Sequence, residues 1–169
     1  EDIVSLGNQH LVGFTYPDTD ASEGGYPHAA EKPIYVPLDL VLCSNCKLLQ
    51  LIHTTEPKLL WNENYGYRSG VNETMRKELA GIVASIEGIK RLESEDIVVD
   101  IGSNDGTLLD SYSNPEIIRV GYEPSRNVAA IGNYPMGKFK VFIDFFSRVP
   151  FLQEYGRKKA KVILGLKLV

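Results

Sequence analysis

From Asp96 onward the chain alternates short apolar runs with short stretches of helical spacing, and few folds accept that alternation. The segments "DIVVDI" (96–101), "IIRVGYE" (117–123), "KFKVFID" (138–144) and "AKVILGLKLV" (160–169) are predicted strands. Between them "GTLLDSY" (106–112) opens a helix, "SRNVAAIG" (125–132) makes a short one, and "VPFLQEYG" (149–156) makes another. Strands separated by helices pair in parallel, through right-handed crossovers. The expected class is therefore α/β, a partial Rossmann-like, doubly wound, mostly parallel sheet. A longer helix precedes it. In "NETMRKELAGIVASIEGIKRL" the residues Met75, Leu79, Ile82, Val83, Ile86, Ile89 and Leu92 recur at spacings of three and four, which is one apolar face. Asn72 stands at the N-cap and Glu73 in the first turn, and the stripe reads as core.

Upstream the pattern is different. Residues 1–40 are rich in Gly, Pro, Tyr and Asp, as in "GFTYPDTDASEGGYPHAAEKP", and read as extended loop with room for short strands. "IYVPLDLVLC" (34–43) and "KLLQLIHT" (47–54) are predicted strands flanking Cys43-x-x-Cys46, a knuckle-like hairpin. Two domains are expected, a small module over 1–70 and an α/β domain over 71–169. A net charge of −4 without a basic run argues against nucleic acid. No apolar run approaches the roughly 18 residues of a membrane span. "EDIVSLGNQH" has neither the basic start nor the apolar centre of a signal peptide, so the cytoplasm is the expected location. One cysteine pair is not a secreted disulfide framework.

The first strand end carries Asp100-Ile101-Gly102-Ser103-Asn104-Asp105-Gly106. In open parallel sheets ligands sit at the carboxyl ends of strands where the strand order reverses. Gly102 allows a tight turn beside a ligand, and Gly106 allows a helix to approach the strand closely. N–H groups at the following helix start favour a carboxylate or phosphate. A dinucleotide turn wants G-x-G-x-x-G, with the second Gly admitting pyrophosphate. Here that position is Asn104, with the acid Asp105 beside it. S-adenosylmethionine fits better, because its amino-acid end carries an ammonium that Asp100 can meet, and Asn104 tolerates a left-handed backbone. Glu123, in "GYEPS" with Pro124, ends the next strand and suits ribose hydroxyls, which S-adenosylmethionine and NAD share. Asp144 ends the third and suits an adenine amino group, with Phe145 or Phe146 over the ring. Each acid alone also reads as a solvated strand end or a helix cap; three at successive strand ends argue for a nucleoside.

A C-x-x-C pair ligates one tetrahedral metal, but structural zinc takes four ligands. The other soft donors are His10, His28 and His53, of which His53 is nearest in sequence. Redox chemistry wants the pair at a strand-to-helix junction, whereas this pair lies between two predicted strands. Half a zinc site is the simplest reading.

"SLGNQHLVGF", "PLDLVLCSNCKLLQL", "NENYGYRSGVNETMRKEL" and "VVDIGSNDGTLL" with "GYEPS" together resemble the sugar C-methyltransferase family. These are S-adenosylmethionine-dependent enzymes with an N-terminal zinc-binding module. The resemblance covers almost the whole chain. It implies methyl transfer to a ring carbon of a nucleotide-linked keto-deoxysugar, through an enolate formed by a general base. It also implies a class I methyltransferase sheet. Carried over by motif, Asp100, Gly102, Ser103, Asn104, Asp105 and Gly106 form the cofactor turn. Glu123 and Pro124 meet the ribose, and Asp144 with Phe145 lines the adenine. Tyr65, Tyr67 and Ser69 of "YGYRSG" approach the cofactor, or else pack as aromatics between module and helix. Cys43 and Cys46 are one of the two zinc pairs in the family. The first pair would precede "EDIVSLGNQ", and three more strands, a further domain and the base would follow "AKVILGLKLV". The resemblance thus predicts an N-terminal piece that turns over no substrate alone, with an exposed edge at its fourth strand. The alternative is a non-catalytic nucleotide- or partner-binding module.

Overall fold

The computed structural model describes residues 1–11, 34–62, 65–132 and 139–166. The chain divides into two compact units, Glu1–Asn64 and Tyr65–Val169. The division falls a few residues before the boundary expected at 70/71.

In the first unit β1 (Asp2–His10), β2 (Tyr35–Leu42) and β3 (Leu49–Leu51) form an antiparallel sheet in the order β1-β2-β3, followed by one helical turn, α1 (Pro57–Leu60). A nine-residue β1 opens the segment read as extended loop with room for short strands, longer than the short strands allowed there. Its apolar residues do not alternate, because the pairing with β2 is interrupted at Asp2/Val4 and again at Ser5/Asn8. Bulges of this kind break the two-residue period on which strand prediction depends. None of the described residues of this unit is fully buried.

The second unit opens with a 3-10 turn (Ser69–Val71) and α2 (Glu73–Ile89). There follow β4 (Ile97–Ile101), α3 (Thr107–Asp110), β5 (Ile118–Tyr122), α4 (Arg126–Gly132), β6 (Lys140–Phe142), α5 (Arg148–Tyr155) and β7 (Ala160–Gly165). All four strands are parallel, in the order β6-β5-β4-β7. Alternate residues of β4 serve opposite faces. Val98 packs with Leu79 and Val83 of α2, Leu108 and Leu109 of α3, Tyr112 and Ile117. Ile97 and Val99 pack with Val120 and Tyr122, against Phe151 and Tyr155 of α5. A sheet covered on both faces needs near-continuous apolar strands, which is what the sequence contains.

The Asn72 side chain caps α2, accepting from the N–H of Thr74 (2.8 Å) and Met75 (3.2 Å), a contact worth about 1 kcal/mol. Of the expected stripe, Leu79 and Val83 are buried, and Met75, Ile82, Ile86 and Leu92 pack against them. Ile89 does not: at the last helical position it is 88% exposed. Lys161 at the start of β7 pairs with Asp96, just before β4, and this holds the Asp96 carboxyl below its usual range.

Read by order of appearance, the strands lie third, second, first, fourth. After β6 the chain crosses back and pairs β7 on the other side of β4. The switch point, where doubly wound sheets bind ligands, therefore lies between the carboxyl ends of β4 and β7. Among the described residues no helix is long and apolar enough to cross a membrane.

Candidate functional site

The turn after β4 stands at that switch point. Gly102, Asn104 and Gly106 all have left-handed backbone, with φ of 74°, 52° and 78°. The tolerance expected of Asn104 is used, and Gly106 supplies a left-handed N-cap to α3. The N–H groups of Gly102 and Ser103 both donate to the Tyr122 carbonyl at the end of β5, at 2.9 and 3.0 Å. Gly106 N–H donates to Ser103 O at 2.9 Å, Asn104 N–H to Glu123 Oε2 at 3.0 Å, and Thr107 N–H to Asp105 Oδ1 at 3.3 Å. These five N–H groups are thus engaged within the protein, Gly106 and Thr107 among them at the start of α3. α3, a single turn long, adds little dipole.

Carboxylates dominate the site instead. Asp100 lies opposite Gly121 of β5 in the sheet register and is 4% exposed. Among the described residues nothing donates a hydrogen bond to its carboxylate. Burial pushes the Asp100 carboxyl up to about 7, and the charge of Glu123 adds to the effect. The two acids are therefore within electrostatic reach of each other. Glu123, also 4% exposed, ends β5 and accepts from Asn104 N–H and, at 2.8 Å, from Ser125 N–H. It ties the loops after β4 and β5 together, with Pro124 half-buried beside it. The strand order makes the ends of β4, β5 and β6 neighbours, so Asp144 follows on the third. Asp144 is exposed and accepts from the N–H of Phe145, the next residue, at 2.8 Å. Of the two phenylalanines, Phe146 meets the Tyr122 ring edge-on at 5.1 Å, while Phe145 is half-buried next to Asp144.

Tyr65, Tyr67 and Ser69 belong to a strap tied to this same end of the sheet. Asn127 of α4 donates to Tyr65 O at 2.7 Å. The Asn104 amide donates to Tyr67 O at 3.0 Å and accepts from Ser69 N–H at 2.9 Å. Asp105 Oδ2 accepts from Gly70 N–H at 2.8 Å. The strap thus runs from α4, past the turn after β4, to α3. A Cβ on Gly70 would stand 2.6 Å from Thr107 Oγ1 and 3.0 Å from Asp105 Oδ2, so a larger residue there would displace the Thr107 hydroxyl. These contacts were not legible in advance. The available signal was the run of small residues Gly66, Ser69 and Gly70, which lets a backbone come close.

Cys43 and Cys46 sit in the turn between β2 and β3. Backbone N–H groups of Cys46 and Asn45, and the Cys46 side chain, lower the Cys43 thiol from its usual range. Lys47, next in sequence, has φ of 63°. His53 lies 3.5 Å from the Asp39 carboxylate, and His10 meets the Tyr35 ring edge-on at 5.7 Å; His28 lies outside the described residues. Among the described residues no third donor joins the two thiols, so by themselves they do not fit a closed tetrahedral zinc site.

No protein-family model matches the chain. Over 136 residues it is 32% identical to C-methyltransferase NovU of Streptomyces niveus, an alignment covering 78% of this chain and 29% of that protein. The chain is homologous to a C-methyltransferase. It spans less than a third of that relative's length. Among solved structures, it is similar to the plantazolicin methyltransferase BpumL in complex with SAH, with a TM-score of 0.41 and 21% identity over 53% of this chain and 34% of that one. A second BpumL structure, with a monoazolic desmethylPZN analog and SAH, gives a TM-score of 0.35 and 19% identity, covering 43% of this chain and 31% of that one.

Proposed function

We propose that this chain is the cofactor-binding part of an S-adenosylmethionine-dependent C-methyltransferase whose substrate is a nucleotide-linked keto-deoxysugar. One observation carries the reading: a buried carboxylate, Asp100, stands unpaired at the switch point with a second carboxylate, Glu123, near it. An unpaired buried charge is costly, and a cationic ligand relieves the cost. The amino-acid end of S-adenosylmethionine is such a ligand, and pyrophosphate is not. The engaged N–H groups of the turn argue the same way against NAD. Homology to C-methyltransferase NovU supports the reaction class, and the sequence resemblance described above supports the sugar.

Asp100 accepts hydrogen bonds from the ligand's ammonium. Glu123 keeps unused lone pairs for the ribose hydroxyls, and Asp144 with Phe145 serves the adenine. Tyr65, Tyr67 and Ser69 contribute from the strap. When bound, the cofactor supplies an electrophilic methyl group. A keto substrate is needed, since loss of the proton beside a carbonyl makes the carbon nucleophilic as an enolate. No residue of this chain is assigned as that base, and turnover by the chain alone is not expected.

Isothermal calorimetry tests the reading. S-adenosylhomocysteine is expected to bind in about the micromolar range and NAD not at all; heat from NAD with none from S-adenosylhomocysteine would overturn it. We further read Cys43 and Cys46 as half of a zinc site. Elemental analysis of the purified monomer is expected to find well below one zinc per chain, and a full equivalent would show that a further donor closes the site.

A further inference from the structure

Two residues of the glycine turn, Asn104 and Asp105, direct their side chains to other groups of the protein. The Asn104 amide spends its donor on Tyr67 O and its acceptor on Ser69 N–H. Asp105 divides its oxygens, Oδ2 to Gly70 N–H and Oδ1 to the N–H and, at 2.6 Å, the hydroxyl of Thr107. We propose that Asn104 and Asp105 are positioning residues that latch the Tyr65–Val71 strap across the carboxyl ends of β4 and β5, acting through Tyr67 and Ser69. The functional meaning of the latch rests on the cofactor reading above.

The choice of residues follows from two demands at one position. At φ of 52° the backbone of residue 104 favours glycine or asparagine. Glycine would make the turn but leave the strap untied. Asparagine makes the turn and also carries a peptide-like amide, which pairs with the strap backbone as a neighbouring strand would. Asp105 joins the strap to the first turn of α3 and so fixes the other end. Two further side chains brace the strap. Asn127 holds Tyr65 O, and Arg76 of α2 donates to the carbonyls of Gly70 and Val71. The strap is fastened from three elements, with its central contacts on the turn itself.

Arg68 is exposed, and its bond to Ser69 lies between the two Asn104 contacts, so trypsin cleavage there reports release of the strap. Cleavage after Arg119, buried in β5, reports global unfolding in the same sample. Three variants of the whole chain separate the possibilities. Asn104→Gly keeps the left-handed turn and deletes the latch; Asp105→Ala deletes the second latch; Asp105→Asn removes the charge but keeps one acceptor for Gly70 N–H, while its amide N–H can donate to the Thr107 hydroxyl.

The expected result is cleavage after Arg68 about tenfold faster in Asn104→Gly and Asp105→Ala, with Asp105→Asn within about threefold of the parent and cleavage after Arg119 unchanged. S-adenosylhomocysteine is expected to slow cleavage after Arg68 in the parent and to bind Asn104→Gly about tenfold more weakly. Unchanged cleavage in Asn104→Gly would overturn the latch. So would a rise after Arg119 equal to that after Arg68, or Asp105→Asn behaving as Asp105→Ala. If the cleavage pattern holds while S-adenosylhomocysteine fails to bind the parent, the latch stands and the cofactor reading falls.

Discussion

Gly121→Ala is expected to lower stability by about 3 kcal/mol and to abolish cofactor binding, although residue 121 touches no ligand in the proposed site. A Cβ there would overlap Ser103 Oγ and stand 2.9 Å from Ser103 Cβ and 3.3 Å from Leu109 Cδ1. The hydroxyl can rotate away, but the Ser103 Cβ moves only with its backbone. That backbone is held on both sides, by Ser103 N–H on Tyr122 O and by Gly106 N–H on Ser103 O. The strain therefore passes into the turn and shifts Asn104 and Glu123 with it. Urea unfolding measures the first effect and calorimetry with S-adenosylhomocysteine the second. Adding Ser103→Gly removes both of the closest contacts, so the double variant should recover at least about half of the lost stability. A double variant as unstable as the single one would show that the clash lies elsewhere.

Most of the second unit was legible because its strands obey rules visible locally. β4 and β5 are buried on both faces, so they appear as mostly apolar runs, broken only by Asp100 and Arg119, and their ends fall within a residue or so of the expected places. Asn72 announces α2 by a capping preference that needs no tertiary partner. The acids at neighbouring strand ends could be counted once a parallel sheet was assumed. What could not be read depends on contacts far apart in sequence. β1 exists because β2 pairs with it, and its bulges erase the alternation that would have revealed it. β6 is only three residues long, since pairing with β5 stops at Phe142. Asn104 and Asp105 were weighed against a ligand, whereas their partners are backbone groups more than thirty positions earlier. Their residue types carried the right conformational information, and the partner had to be seen.

Asp100→Asn should make the chain more stable at neutral to alkaline pH while weakening its affinity for the cofactor. Folding raises the Asp100 carboxyl from 3.8 to about 7, mainly through burial and secondarily through Glu123. Between those values the folded state holds a proton that the unfolded chain has released, so stability is greatest below about pH 4 and falls as pH rises toward 7. Above 7 the buried charge costs on the order of 4 kcal/mol. Asparagine cannot ionise, so this slope should vanish in the variant, and urea titrations at about pH 5 and pH 8 compare the two chains directly. Parallel profiles would show that another group titrates. A cationic ligand reverses the preference, because it binds only the ionised carboxylate. The parent's affinity for S-adenosylhomocysteine should then fall as pH drops below about 7, approaching tenfold per pH unit, with a proton released on binding near neutrality. The variant should bind about a hundredfold more weakly and without that pH dependence. The same burial that destabilises the empty fold keeps Asp100 unpaired until a cation arrives, so the cost in stability and the selectivity for an ammonium have one physical origin.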